Sequence, residues 1–408
     1  MIYNISAPSL HSCNITLPAS KSISNRQLLI NVLSGNQHLP HNLSDSDDTA
    51  VMLNAIRSNC SHVDVGAAGT SMRFLTAYLS QLPSEHFITG SERMKNRPIS
   101  VLVDALRTLG ADIQYVEKEG FPPLRINGKT LSGGSISLPG SISSQYISAI
   151  MMIAPMMKNG LRIELTGKII SKPYINMTLK TMEQFGVVAT WTDNIIQIPE
   201  ARYANVETTI ESDWSAASYW YQIAALAPHI VIELNGLQAD SLQGDADGRF
   251  IAEKLGVQTQ WTSNGVRLQA HRLAPQNKPF CFDFNSQPDL AQTYVVLCCC
   301  MGVPFVFTGL ESLKIKETDR ISALICECKK IGFVLQTNNV DTLSWNGETC
   351  ATSAESIQTY KDHRMAMAFA PAAIKLGSIN ISDPAVVSKS YPHFWDDLQI
   401  AGFSVSEK

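Results

Sequence analysis

Apolar and polar positions along the chain alternate between a helical spacing and a β-like spacing, and the switch from one to the other recurs. TLGADI, TMEQFGVVA, EKLGVQT, KKIGFVL and IAGFSV each end a helix-like stretch on an apolar residue and a glycine, then pass into a β-like run. The glycines are Gly110, Gly186, Gly256, Gly332 and Gly402, at intervals of 76, 70, 76 and 70 residues. Glycine can adopt the left-handed conformation that closes a helix, so each is expected to be a helix stop ahead of a strand. A sixth copy, without the glycine, is expected to end near Asn59 and Cys60.

A second series runs out of phase with the first. Short starts rich in Ser, Thr, Asp or Gly lead into long apolar helices at Ser20-Lys21-Ser22, Gly69-Thr70, Ser143-Ser144-Gln145, Asp213, Pro288-Asp289 and Asp362-His363. From Thr70 onward the intervals are 73, 70, 76 and 73 residues. Two interleaved series with one period imply a unit of about 70 residues, with two helices and several strands, repeated around six times. That is too long for an ankyrin or tetratricopeptide solenoid and long enough for each unit to form its own sheet, with two groups of three units as the natural partition. The second-series helices, QYISAIMMIAPMM and MAMAFAPAAI among them, are apolar on nearly all sides and should lie buried. Their polar amino ends must reach the surface, and several such ends opening on one cleft would offer N–H groups and positive dipole ends to anions.

Composition narrows the picture. At ~150 residues per domain, 408 residues suggest two large domains. Charged residues make up 17% and the net charge is −4, which fits neither a disordered chain nor a basic nucleic-acid coat. The longest apolar stretches, Ile147–Met157 and Tyr294–Phe307, fall short of the ~20 residues of a membrane-spanning helix. The start MIYNISAPSL lacks the pattern of a secretory or transit segment, so a cytoplasmic protein is expected. Nine cysteines include the adjacent Cys298, Cys299 and Cys300 in an apolar run, and Cys326 and Cys328 form a single C-x-C. They are read as small core side chains, with no metal site and no cofactor expected.

Candidate chemistry lies at the helix starts. Lys21 and Ser22 open one, with Arg26 about a turn further on, either as a phosphate grip or as a capped helix with a solvated basic face. GAAGTSMRFL puts two glycines ahead of another helix, with Arg73 near its first turn. KETDR packs two cations and two carboxylates before the helix ISALICECKKIG. Lys316 and Arg320, four apart, should share a face while Glu317 and Asp319 point elsewhere, and the plain alternative is a solvated charged turn. DHRM at Asp362–Met365 and SKSYP at Ser388–Pro392 add lone cations beside apolar helices. There is no G-x-x-x-x-G-K-[ST] phosphate loop.

Taken together, PASKSISNR, GAAGTSMRFL, RMKNRP, SISSQ, ISKPYI, PDLAQT, KETDR, DHRMAM and SKSYP resemble, in order and over almost the whole chain, the 5-enolpyruvylshikimate-3-phosphate synthase family. The resemblance implies an α/β fold, a two-domain inside-out α/β barrel with three repeated βαβαββ-type units and buried parallel helices in each domain. It places one domain at 21–211 and the other at 1–20 plus 212–408, with hinge crossings near Ser20 and Glu211 and the active site in the interdomain cleft. It implies transfer of the enolpyruvyl group of phosphoenolpyruvate to the 5-hydroxyl of shikimate 3-phosphate, a step toward chorismate and the aromatic amino acids, by an enzyme that is a glyphosate target.

By the same resemblance Lys21, Ser22, Arg26, Ser143, Ser144, Gln145, Ser171, Asp289 and Lys316 would contact shikimate 3-phosphate. Lys21, Gly69, Arg97, Gln145, Arg320, Arg364 and Lys389 would hold phosphoenolpyruvate. Asp289 is implied as the base, Glu317 as the acid, and Lys21 as an aid to phosphate departure. An unperturbed carboxyl, with a pKa near ~4, is a poor acid at neutral pH, so Glu317 would need burial or a negative neighbour. The small-molecule substrates are the implied partners, with neither nucleic acid nor membrane, and a monomer is expected. Ala67, Ser312 and Cys60 depart from the commoner family pattern, and Ala67 removes a side-chain donor beside the glycine loop. Two other readings are a related transferase acting on UDP-N-acetylglucosamine and a catalytically silent anion-binding protein on the same fold. The DHRM and KETDR contexts disfavour the first. Retention of Lys21, Asp289, Glu317 and Lys389 disfavours the second.

Overall fold

The computed structural model describes residues 1–7, 9–58, 61–271 and 278–408. Asn59 and Cys60, where the glycine-free helix stop was expected, lie outside them. The fold is two-domain α/β. Its contacts divide into one compact unit of Ala19–Ile210 and another of Met1–Pro18 with Glu211–Lys408.

Within Ala19–Ile210 the chain runs strand, helix, strand, helix, strand, strand, twice over. The first round is His62–Asp64, Gly69–Leu79, Glu85–Thr89, Ser100–Thr108, Asp112–Tyr115 and Leu124–Asn127. The second is Ser132–Pro139, Ser144–Ile153, Lys158–Thr166, Lys172–Gln184, Thr190–Thr192 and Ile195–Ile198. In each sheet the first two strands pair in parallel, with Val63 opposite Ile88 and Ile136 opposite Ile163, and the remaining pairs are antiparallel. A helix crossover makes the parallel pair, while a short turn suffices for an antiparallel one. The helices Lys21–Leu33, Gly69–Leu79 and Ser144–Ile153 pack on one another inside the unit. Nine consecutive residues from Ile23 to Asn31 are buried, as expected for a helix enclosed on all sides.

Met1–Pro18 with Glu211–Lys408 repeats the pattern, with a difference in where the strands come from. Phe280–Asp283, Ala291–Met301, Phe305–Thr308, Arg320–Lys330, Gln336–Thr337 and Leu343–Trp345 form one complete round. Another round takes its first strand, Cys13–Thr16, from the amino end, where it lies parallel to Val231–Asn235. The last round takes its final strand, Ile2–Ser6, from the same end, and that strand pairs antiparallel with both Ser378–Ser382 and Ser404–Glu407. The first eighteen residues therefore complete two sheets of this unit.

Among the described residues there are five open sheets of three or four strands. A sixth was expected from the repeat. In its place Ala19–Ile210 has one isolated parallel bridge between His41 and Thr209. The glycine stops are as expected: Gly110, Gly186, Gly256, Gly332 and Gly402 all have φ between 83° and 97°. The apolar helices are shorter than the sequence suggested. Ser144–Ile153 gives way to a 3-10 turn at Ala154–Met156, and His363–Phe369 to one at Ala370–Ala372. Each turn has a proline in its first two positions, where the missing N–H and fixed φ end regular α-helix. Cys298, Cys299 and Cys300 are buried among apolar side chains. No helix among the described residues is long and apolar enough to cross a membrane.

Candidate active site

In Ala19–Ile210 the candidate residues gather at helix starts. Ser20 caps the helix Lys21–Leu33 by accepting from the Ile23 N–H at 3.4 Å. Lys21 Nζ lies 3.5 Å from Asp48, a nearly buried carboxylate. Arg26 is 2% exposed. Its Nε donates to Thr178 at 2.8 Å, Nη1 to the Ser22 carbonyl at 2.8 Å, and Nη2 to Ser148 at 3.2 Å and the Tyr174 carbonyl at 3.3 Å. Among the described residues no carboxylate is paired to it, and burial pulls its pKa down to about 10. A cation enclosed with hydrogen bonds but no counter-charge favours an anion nearby.

Ser143 caps Ser144–Ile153, accepting from the Gln145 N–H at 3.3 Å, while the Gln145 side chain donates to Thr70 at 3.1 Å. The helix Gly69–Leu79 begins after Ala68, which offers no side-chain cap, so its first N–H groups have no side-chain acceptor there. A Cβ on Gly69 would overlap the Arg97 guanidinium, so only glycine lets that cation lie against the helix start. Arg73, singled out in the glycine-rich segment, turns inward. It donates to the carbonyls of Gly69 at 3.1 Å and Pro98 at 3.3 Å, and so ties the Gly69 turn to the Arg97 segment. Ser171, 8% exposed, holds φ 54° just ahead of Lys172–Gln184.

In the other unit, four cations are knitted to three carboxylates. Arg320 is 1% exposed and donates through Nε to Asp362 at 2.8 Å, through Nη1 to Asp289 at 3.0 Å and through Nη2 to Glu317 at 3.0 Å. Asp289 also meets Lys316 at 3.3 Å and Arg364 Nη2 at 3.0 Å. Glu317 also meets Lys389 at 2.7 Å. Burial pushes Asp289 up, yet the charges of Arg364, Lys316 and Arg320 outweigh it and hold the carboxyl well below its usual range. Burial likewise pulls Arg320 down, and Asp362, Glu317 and Asp289 raise it further than burial lowers it.

This cluster corrects two expectations. Lys316–Thr318 precede the helix, which begins at Arg320, so the helical spacing that set Glu317 apart does not apply, and Glu317 bonds Arg320 directly. Asp319 does point elsewhere, capping the helix through the N–H groups of Ile321 and Ser322. The cations of DHRM and SKSYP are not lone, since Arg364 pairs with Asp289 and Lys389 with Glu317. Among the described residues no group of three or more His, Cys, Asp or Glu is arranged to hold a metal.

A family model described as EPSP synthase (3-phosphoshikimate 1-carboxyvinyltransferase) matches residues 58–398. The chain belongs to the EPSP synthase family. It is 56% identical over 411 residues to the 3-phosphoshikimate 1-carboxyvinyltransferase of Bacteroides fragilis strain ATCC 25285, with 99% of each chain covered. It is 35% identical over 418 residues to the protein of that name from Vibrio atlanticus strain LGP32, covering 95% of this chain and 96% of that one. Among solved structures, an EPSP synthase from Acinetobacter baumannii aligns over the whole of both chains with a TM-score of 0.78 at 20% identity. The enolpyruvyl transferase NikO from Streptomyces tendae aligns at 0.75 and 13% identity, covering 100% of this chain and 98% of that one. At those identities the two structures speak to the fold alone.

For this EPSP synthase family member, the structure adds residues to which the sequence reading gave no part in the site. Asp48 faces Lys21, Asp362 holds Arg320, and Tyr174 supplies a carbonyl to Arg26. Asp362 stood in the DHRM motif but drew notice only as a helix start; being aspartate at a cap was the one signal it gave. Ala67, where the pattern often has asparagine, is exposed, and Ser312 is part-buried in the 3-10 turn Glu311–Ile315.

Proposed function

We propose that the protein transfers the enolpyruvyl group of phosphoenolpyruvate to the 5-hydroxyl of shikimate 3-phosphate, releasing phosphate. One observation carries the mechanism: Asp289 and Glu317, two carboxylates fit to exchange protons, share Arg320 and are each bonded to a further cation. Asp289 takes the hydroxyl proton as that oxygen bonds to C2 of phosphoenolpyruvate, and Glu317 gives a proton to the methylene, forming a tetrahedral adduct. In the second step the methyl returns a proton to Glu317 as the bond to phosphate breaks, and the proton on Asp289 leaves with the phosphate. The steps balance without an electron carrier.

An ion-paired carboxylate exchanges protons poorly. The anionic groups of phosphoenolpyruvate would draw Arg364 and Lys389 toward themselves; Asp289 would stay ionised beside Lys316 and Arg320 as the base, and Glu317, left with Arg320 alone and brought near the substrate's negative charge, would take the proton it delivers from solvent. Phosphoenolpyruvate is assigned to Lys21, Gly69, Arg97, Gln145, Arg320, Arg364 and Lys389. Shikimate 3-phosphate is assigned to Lys21, Ser22, Arg26, Ser143, Ser144, Gln145, Ser171, Asp289 and Lys316. Arg26 is nearly enclosed and four of its five N–H donors are given to Thr178, Ser22, Ser148 and Tyr174, so its main part is the charge it places behind the helix start Lys21–Ser22. Phosphorylated substrates suit the cytoplasm, and the protein is proposed to act as a monomer.

Mixing the purified protein with both substrates and following phosphate release tests the reading. Release that requires shikimate 3-phosphate is expected. No release, or release only with UDP-N-acetylglucosamine as acceptor, would sink it.

A further inference from the structure

One buried acid beside the cluster has no part in the scheme above. Asp245 lies in the 3-10 turn Gly244–Asp247 and is 5% exposed. Ser215 Oγ donates to its Oδ2, and its Oδ1 is buried without a hydrogen-bond partner. Ser215 sits in the first turn of the helix Trp214–Leu226, whose cap is Asp213. The Ser215 hydroxyl oxygen in turn accepts from Arg364 Nη2 at 3.4 Å. The same Nη2 donates to Asp289 Oδ2 at 3.0 Å, and Arg364 Nη1 donates to the Asp289 carbonyl at 3.2 Å. A line of hydrogen bonds thus runs from Asp245 through Ser215 and Arg364 to Asp289, across four separate segments of the chain.

We propose that Asp245 is a positioning residue which, through Ser215, sets how firmly Arg364 is held and so how readily Arg364 leaves Asp289 for an incoming anion. The inference rests on the reading that Asp289 and Arg364 serve the enolpyruvyl transfer. The groups facing Asp245 are Asp289 from the turn before Ala291–Met301, Arg364 from His363–Phe369, and Asp213 at the start of Trp214–Leu226. Asp247 of its own turn is engaged by Gln287 at 3.3 Å. Burial first, and the Asp289 charge second, push the Asp245 carboxyl up to about 7, against the opposing pull of Arg364 and the Ser215 hydrogen bond.

The two protonation states differ in what they ask of Ser215. An ionised Asp245 takes the Ser215 proton into its own hydrogen bond, leaves the serine lone pairs to Arg364, and adds a negative charge behind them. A neutral Asp245 supplies no such charge, and the hold on Arg364 loosens. Arg364 is therefore freer for phosphoenolpyruvate below neutrality than above it.

Asp245→Asn keeps the shape and removes the charge. Steady-state kinetics of wild type and variant at pH 6 and pH 8 should give kcat/KM values for phosphoenolpyruvate that agree within about 2-fold at pH 6. At pH 8 they should differ by at least about 3-fold, with the variant the higher, because ionisation of the substrates cancels in the ratio. KM for shikimate 3-phosphate should not follow. Ser215→Ala breaks the line at its middle and should give the same convergence and divergence. A ratio that stays constant from pH 6 to pH 8 for both variants, with wild type active, overturns the inference. A wild type inactive on this substrate pair would instead overturn the proposed reaction, and this inference with it.

Discussion

The closeness of the Arg97 guanidinium to Gly69 makes a single hydrogen atom the gatekeeper of one cation. Gly69→Ala would place a methyl group where Arg97 Nη1 now lies, and the tip of a long side chain is what must yield. Alanine favours helix over glycine by about 1 kcal/mol, so the start of Gly69–Leu79 should survive the change. On the proposed assignment of Arg97, its displacement would lose charge-assisted hydrogen bonds to phosphoenolpyruvate worth about 1.5–3 kcal/mol. The expected result is a KM for phosphoenolpyruvate raised roughly 10-fold or more with an unchanged melting temperature, read from steady-state kinetics and thermal unfolding. An unchanged KM would take Arg97 off the phosphoenolpyruvate list. Lys21 and Arg26 were legible in the sequence because cations at a helix start stand out in a charge-poor chain, whereas Arg97 came from the family resemblance. The acidic partners of the cations were not legible. Asp362 is 42 residues from Arg320, and the helical spacing that KETDR suggested does not hold before the helix begins.

The repeat was legible at the scale of elements for a local reason. A helix stop and a helix cap are each fixed by a few neighbouring residues, and the glycines and Asp213, Ser143 and Asp362 reported their own positions. Strand partners are chosen across the whole chain, and here the pattern was silent. Nothing in MIYNIS says that Ile2–Ser6 lies between Ser378–Ser382 and Ser404–Glu407, with Ile5 opposite both Ile379 and Val405. Deleting Met1–Ser6 would leave two strands facing a gap and remove Ile5, which is fully buried. Emptying one such isoleucine site costs about 2–5 kcal/mol, and each kcal/mol shifts the midpoint of a unit this size by roughly 2–4 °C. Calorimetry should show a drop of at least about 5 °C. An unshifted midpoint would mean that the strand contributes pairing but no stability.

At the scale of the whole molecule, the organisation lends itself to dissection. Ala19–Ile210 is a continuous segment with its own apolar core, from Leu28 to Tyr203. The chain leaves and re-enters the other unit at one place, where the Asp213 N–H donates to the Pro18 carbonyl at 2.8 Å and Ser212 Oγ to the Leu17 carbonyl at 3.2 Å. The segment is thus inserted between two adjacent points of a neighbour whose sheets it does not complete, and it should fold when expressed alone as residues 19–210. Of the residues proposed to contact shikimate 3-phosphate, only Asp289 and Lys316 lie outside it; Lys21, Ser22, Arg26, Ser143, Ser144, Gln145 and Ser171 are within. The fragment should melt cooperatively by circular dichroism and bind shikimate 3-phosphate in a calorimeter, more weakly than the full chain. It should release no phosphate from phosphoenolpyruvate, because Asp289 and Glu317 are absent. A folded fragment that gives no heat with shikimate 3-phosphate would move recognition of that substrate to the other unit, leaving Arg26 as a buried charge that serves the helix start and no ligand.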